Sequence, residues 1–234
     1  QLSGINFEGF TWEERFLVVS TTYDYKKYIK NLSYVNYYAD PEQWFFLLKV
    51  PGLWRVMFPV QKEENEADIF GAECVENRMQ WVQASPKTFE IAHRTLYKVH
   101  QRVAAKYREG RIFLIGDAAH INNPLGGMGM NGGIHDAFNL AEKISLFWHN
   151  QKNSSVLDLY EKQRRPIALE YVNKQSIKNK QNLEANTLEA QEAFRVFLSE
   201  LMEDQSRARE YMMRVSMISS LREARRNDYF SNRS

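Results

Sequence analysis

At 234 residues, with 31 basic and 29 acidic side chains and a formal charge of +2, the chain is long enough for one or two domains with real cores, and it carries no strong field. That balance, without a basic cluster interleaved with stacking aromatics, argues against a nucleic-acid partner, and no apolar stretch approaches the roughly 18 residues of a membrane span. Cys74 is the single cysteine, so an internal disulfide is ruled out, a reducing compartment such as the cytoplasm is expected, and Cys74 itself reads as a small buried apolar residue.

From Arg15 to Val60 the pattern is strand-like: Phe16–Ser20, Ser33–Tyr38, Trp44–Val50 and Trp54–Val60 form runs of apolar, β-branched and aromatic residues. An antiparallel sheet follows, with Pro51-Gly52 as a hairpin turn. Most of its aromatics are expected to serve cross-strand packing. Trp54 and Arg55 are candidates to bind a planar substrate, Arg55 by anchoring its carboxylate or phenolate, against the alternative of a solvated or salt-bridged arginine on the outer face. Glu66–Gln83 reads as a helix, Lys87–Val103 as strand, and Arg111–Ile115 as a short strand. From Gly133 the chain is almost wholly helical. Pro166 ends or kinks one helix, and Leu188, Val196, Phe197 and Leu201 give another an apolar face. The polar stretch Lys174–Asn182 is expected to be exposed.

Arg111–Lys143 holds nearly all the functional information. Ile112–Ile115 is a continuous apolar run bounded by glycines, the pattern of a parallel strand buried on both faces. Gly116 ends it and Asp117 follows, where an ionised carboxylate faces ligand hydroxyls at the carboxyl end of a strand. After a loop come Gly126, Gly127, Gly129, Gly132 and Gly133, then apolar residues at helical spacing. The helix is expected to start near Asn131 to Gly133, its free N–H groups and positive dipole end pointing back at whatever Asp117 holds. Gly127–Gly132 matches G-x-G-x-x-G, yet the dinucleotide reading fails: that fingerprint begins at the strand end, and here Asp117–Gly126 intervene. The alternative is a nest of backbone N–H groups that a flat heterocycle approaches closely. His120, His135, Asp117 and Asp136 have no repeated ligand spacing, so no metal is expected; His120 is read as fixing the loop conformation, with a catalytic base as the alternative.

GDAAH at Gly116–His120, Pro124, GGMGMNGG at Gly126–Gly133 and IHDAFNLAEK up to Lys143 resemble the second flavin-binding motif of single-component FAD-dependent aromatic monooxygenases, the para-hydroxybenzoate hydroxylase-like group. YKVHQRVAAKYREGR (Tyr97–Arg111) and YEKQRRPIA (Tyr160–Ala168) extend the resemblance on both sides. It implies that Asp117, with Gly116 before it, binds the ribityl chain of FAD. It also implies that Pro124 lies beside the isoalloxazine ring, and that N–H groups in the Gly127 nest, around Gly129, Met130 and Asn131, face its N1/O2 edge. Apart from the resemblance, Arg102 is a candidate to reach the flavin or its phosphate, with an ordinary surface arginine as the alternative. For the reaction, the resemblance implies reduction of the flavin by NAD(P)H, addition of O2 at C4a to give a hydroperoxide, and attack of its distal oxygen on an electron-rich ring. Few side chains are then catalytic in the narrow sense, and none is singled out. Rivals are a halogenase or epoxidase on the same scaffold, and a non-catalytic interaction module.

The expected fold is α/β, α+β over this stretch: a substrate-binding domain at 1–100, the second half of a Rossmann-like FAD-binding domain at 101–150, and a helical region at 151–234. The family begins with a βαβ unit carrying the G-x-G-x-x-G for the ADP half of FAD, and the four glycines before Gly110, namely Gly4, Gly9, Gly52 and Gly71, are isolated. The chain is therefore expected to be the C-terminal portion of a larger protein whose N-terminal FAD-binding segment is its partner, beside O2 and a small aromatic substrate. A homo-oligomer is compatible with all of this.

Overall fold

The computed structural model describes residues 4–40, 42–149, 153–185 and 187–226. It divides into two units, one of residues 12–99 and 182–191, the other of residues 1–11, 100–181 and 192–234. The helices after residue 150 belong mainly to the second of these and do not stand apart as a third unit.

In the sheet unit, β2 (Val35–Tyr38), β3 (Phe45–Val50), β4 (Leu53–Val60), β1 (Phe7–Thr21) and β5 (Ile91–Ala104) lie side by side in that order. β3 and β4 are joined by the Pro51-Gly52 hairpin, with Gly52 at φ +74 and Val50 opposite Leu53, a backbone conformation glycine adopts without strain. Strand alternation sends Trp54, Val56, Phe58 and Val60 to one face, where with Leu17, Val19 and Leu47 they bury Val75 and Met79 of α2 (Ala72–Val82). The expected single helix over 66–83 is broken in two: α1 (Glu66–Ile69), capped by Asn65, stops before Gly71, which caps α2. The strand expected from Lys87 starts at Ile91, and Cys74 is half-buried rather than buried.

In the other unit, the end of β5 pairs with β8 (His120–Ile121), Val103 opposite His120. β6 (Arg108–Glu109) and β7 (Ile112–Phe113) form a separate two-stranded hairpin. The long helix α3 (Met128–His149) packs on α4 (Ser155–Ile167), which continues through the π turn Ala168–Asn173 into α5 (Lys174–Leu183). Helices α6 (Leu188–Glu203), α7 (Gln205–Val215) and α8 (Ile218–Arg226) follow. Val103, Ala104, Tyr107, Ala119, Leu140, Tyr160 and Ala168 make one core cluster.

Four expectations change here. Ile112–Ile115 is not a parallel strand buried on both faces: only two of its residues are strand, their one neighbour among the described residues is antiparallel β6, and Ile112 and Ile115 are 50% and 41% exposed. The helix after the glycines starts at Met128, earlier than Asn131, because glycines at 129, 132 and 133 take helical φ while the positive angles fall at Gly126 and Gly127. Of the apolar face expected on α6, Leu201 is buried and Phe197 packs edge-on to Tyr211, whereas Leu188 and Val196 are exposed. Lys174–Asn182 is not a solvated face, since Gln175, Ser176 and Lys180 are buried.

Candidate functional site

The site is built where β7 runs out. Gly116 turns the chain with φ +54, an angle that costs side-chain-bearing residues about 1–2 kcal/mol. A single 3-10 turn, Gly116–Ala118, then leads into β8. The second turn of α3 lies directly against this turn: a Cβ on Gly133 would sit 3.0 Å from Gly116 Cα, and one on Gly132 3.0 Å from His120 Cε1. Glycines therefore let helix backbone meet strand-exit backbone.

Beneath that contact, Asp136 is buried with both oxygens engaged. Its Oδ2 accepts from His120 Nε2 at 2.8 Å and from the Gly116 N–H at 3.2 Å, and its Oδ1 accepts from Arg164 Nε at 2.7 Å. Arg164, also buried, donates a further bond from Nη2 to Gly132 O at 3.4 Å. Burial alone raises the Asp136 pKa, but the His120 hydrogen bond and the Arg164 charge outweigh it and hold the carboxyl below its usual range. Burial, followed by the Asp136 charge, pushes the hydroxyls of Tyr107 and Tyr160 up, so both stay neutral. The Tyr107 ring lies over His120 with centroids 6.4 Å apart, and Tyr160 OH donates to Leu114 O at 2.6 Å. The His135 pKa is lowered by burial and then by Arg164. His120 thus does fix the loop, through a carboxylate four residues after Gly132.

Above this buried layer the surface is open. Asp117 is exposed, and no hydrogen bond to its carboxylate is formed among the described residues. Pro124 is half-buried and its carbonyl accepts from Gly127 N at 3.0 Å, closing a turn through Gly126 (φ +103) and Gly127 (φ +63). Gly126, Gly127, Met130 and Asn131 are exposed, and no atom lies within 4 Å of where a Cβ on Gly127 would be. The first four N–H groups of a helix have no acceptor within it. With α3 starting at Met128, the N–H groups left without an acceptor in the helix include those of Met128, Gly129 and Met130, while the Gly127 N–H is taken by Pro124 O and the Asn131 N–H closes the first helical turn. An exposed carboxylate for hydroxyl groups and an uncovered, positively polarised helix end fit a ligand with a polyol chain and a partly negative flat edge, which is the chemistry of FAD. Gly129 lies within α3, where a Cβ would meet Asn122 Oδ1 at 3.0 Å. The Arg102 guanidinium is tied to β1, donating to Phe7 O and Thr11 Oγ1 at 3.3 Å each.

Residues 1–175 match the family described as FAD binding domain. The chain belongs to that family. Para-nitrophenol 4-monooxygenase of Pseudomonas sp. (strain WBC-3) is 34% identical over 176 residues, covering 73% of this chain and 43% of the relative. 6-Hydroxy-3-succinoylpyridine 3-monooxygenase of Pseudomonas putida (strain DSM 28022 / S16) is 31% identical over 180 residues, covering 76% and 45%. Among solved structures, p-nitrophenol 4-monooxygenase from Pseudomonas putida DLL-E4 superposes with a TM-score of 0.82 at 29% identity, over 91% of this chain and 55% of that one. The chain thus spans less than half the length of these curated relatives.

In this chain of the FAD binding domain family, the structure brings Gly116, Asp117, Pro124, Gly127, Gly129, Met130 and Asn131 into one unit together with Arg102. Trp54 and Arg55 lie in the sheet unit on opposite faces of β4. Trp54 is enclosed in the core, edge-on to Tyr25 at 6.0 Å, and Arg55 is exposed between Ser20 and Leu48 of the neighbouring strands. Asp136 and Arg164 escaped the sequence reading as a pair; each sits in a motif quoted for the resemblance, but nothing in the spacing joins them. Among the described residues no group of three His, Cys, Asp or Glu is placed to hold a metal, and no helix is long and apolar enough to cross a membrane.

Proposed function

We propose that this chain is the C-terminal part of an FAD-dependent monooxygenase that hydroxylates a phenol-like aromatic compound, using NAD(P)H and O2, in the cytoplasm. The observation that carries the reading is the exposed Asp117 beside the uncovered glycine turn at the start of α3, in a family whose curated members include monooxygenases of para-nitrophenol and pentachlorophenol. Bound FAD, reduced by NAD(P)H, supplies the activation of O2. The chain's own part is to hold and orient it. Asp117 would accept from hydroxyls of the ribityl chain, Gly116 and Gly127 would let the backbone close in, and the free N–H groups of Gly129 and Met130, next to Asn131, would stabilise negative charge on the ring edge. Pro124 excludes water beside the ring, and Arg102 offers its remaining donors. Arg55 is the residue for a phenolate or carboxylate on the substrate, with Trp54 stiffening the strand behind it.

Completion by an N-terminal segment is part of the proposal. Ile112 and Ile115, with Ile134 and Phe138 of α3, are 41–76% exposed. Such a set of apolar side chains marks a surface that is covered in the working protein, and the relatives extend well beyond the stretch this chain matches. The test is to record flavin absorbance near 450 nm and NAD(P)H oxidation over a panel of phenols, in the intact protein and in this chain alone. We expect flavin, phenol-stimulated oxidation and a hydroxylated product from the intact protein, and little flavin on the chain alone. Failure of every phenol to stimulate a flavin-loaded protein removes the hydroxylase reading; stoichiometric flavin on the chain alone removes the need for the extra segment.

A further inference from the structure

The helix behind the glycine loop is irregular, and its irregular turn sets polar side chains against the loop's underside. α4 passes Pro166, whose ring removes a backbone donor, and widens into the π turn Ala168–Asn173 before resuming as α5. Tyr160, Arg164, Ala168, Val172, Ser176 and Lys180, four apart, are all buried. On a regular α-helix such a row drifts round the axis by roughly 40° per step. A wider turn in the middle of the row takes back part of that drift, and π turns occur frequently at functional sites.

What the turn delivers is a stripe at three-residue spacing, Asn173, Ser176 and Asn179, and its counterpart is Gln101 on β5. Gln101 Nε2 donates to Ser176 Oγ at 3.0 Å and, closer, to Asn173 Oδ1, while its Oε1 accepts from the backbone N of Asn123 at 3.1 Å. Asn123 Nδ2 donates to Ser176 O at 3.0 Å, and Asn123 Oδ1 accepts from Leu125 N at 3.1 Å. Asn179 Nδ2 donates to Leu125 O at 3.2 Å and lies 2.5 Å from where a Cβ on Gly126 would be. Gln101, Asn123 and Ser176 are buried, yet the loop they grip is exposed at Gly126 and Gly127. An apolar underside would support a fold as well. A satisfied polar one also fixes the direction of each backbone group in the loop.

We propose that Gln101, Asn173, Ser176 and Asn179 are positioning residues that hold Asn123–Gly126, and with it Pro124, in the shape the flavin ring meets; this rests on the FAD reading above. The test compares Gln101→Met, Asn173→Leu and the acceptor-preserving Asn173→Asp with wild type in the intact protein. Two quantities are read: amide hydrogen exchange over residues 122–127 without flavin, and FAD affinity by fluorescence quenching. We expect faster exchange at 122–127 with that of α4 unchanged, and FAD binding about tenfold weaker in Gln101→Met, which removes all three of the hydrogen bonds named for Gln101 and passes on to the flavin roughly the net worth of one. Asn173→Leu should follow in the same direction and Asn173→Asp should resemble wild type. If Gln101→Met does not fold, Asn173→Leu, at a half-buried position, carries the same comparison. Unchanged exchange in a folded variant overturns the clamp, and faster exchange with wild-type FAD affinity overturns its role toward the flavin. A wild-type protein that binds no FAD sinks the flavin reading instead, while the exchange comparison still decides whether these residues hold the loop.

Discussion

Replacing Asp136 by Asn keeps the shape of the side chain and removes the charge shared by Arg164, His120 and the Gly116 N–H. Arg164 is as buried as its partner, so the variant leaves a guanidinium in the interior with no counter-ion. Removing one member of a buried pair costs about 3–5 kcal/mol, against a total stability of about 5–15 kcal/mol for a protein of ordinary size. At about 2–4 °C per kcal/mol for a chain of this length, the midpoint of thermal unfolding should fall by roughly 6–20 °C. Pairing the change with Arg164→Met removes the stranded charge and should restore most of the loss, because the penalty lies in the unpaired ion. The pH dependence has a definite sign. The Asp136 pKa is lowered in the folded state, so its contribution is complete above the unfolded value near 4 and disappears as pH falls from there toward the folded value. Wild type should lose stability through that window more steeply than the double variant. Calorimetry from pH 2 to 7 measures both. A single variant within about 1 kcal/mol of wild type, the low end for one lost hydrogen bond, or a double variant no better than the single, would refute the claim that this carboxylate balances a buried charge.

Three further outcomes are expected. Asp117→Ala should weaken FAD about 10- to 150-fold in the intact protein through loss of a charged hydrogen bond, with an unchanged circular dichroism melt because the side chain is exposed; equal flavin affinity would make Asp117 structural. Gly133→Ala gains helix propensity of about 1 kcal/mol, but its Cβ would press to 3.0 Å on Gly116 Cα, backbone that Asp136 holds in place, so a net loss of about 1–3 kcal/mol is expected, and a more stable variant would show that the turn yields. Phe138→Ser, at a position 76% exposed, should leave the melt of this chain within about 0.5 kcal/mol of wild type while reducing self-association on size exclusion; destabilisation of the intact protein by about 1.5–3 kcal/mol would then mark Phe138 as covered there.

Alternation made the sheet unit legible: Trp54, Val56, Phe58 and Val60 share one buried face of β4, and Arg55 on the other is exposed. Pro51-Gly52 announced its turn for the same local reason. The candidate site could be picked out because Asp117 and the glycines lie within one short stretch of sequence, Gly116–Gly133. Where reading failed, the deciding partner lay elsewhere. The apolar run Ile112–Ile115 looked buried on both faces because hydropathy cannot say whether neighbouring strands are present. Lys174–Asn182 looked solvated because a polar side chain satisfied by buried backbone has the same letter as one satisfied by water. The helix start was set too late because glycines count against a helix, although here their missing side chains let the first turns of α3 meet Gly116 and His120.

The chain passes between its two units at residues 11–12, 99–100, 181–182 and 191–192. No single cut releases either unit as an uninterrupted piece of polypeptide, and the first two passages fall inside the long strands β1 and β5 rather than in loops. Limited proteolysis, which needs slack, exposed backbone, should therefore leave no stable fragment corresponding to one unit. Recombining substrate preference among relatives by swapping the segment 12–99 would place both joints within hydrogen-bonded strand, where a register slip of one residue reverses every side chain beyond it.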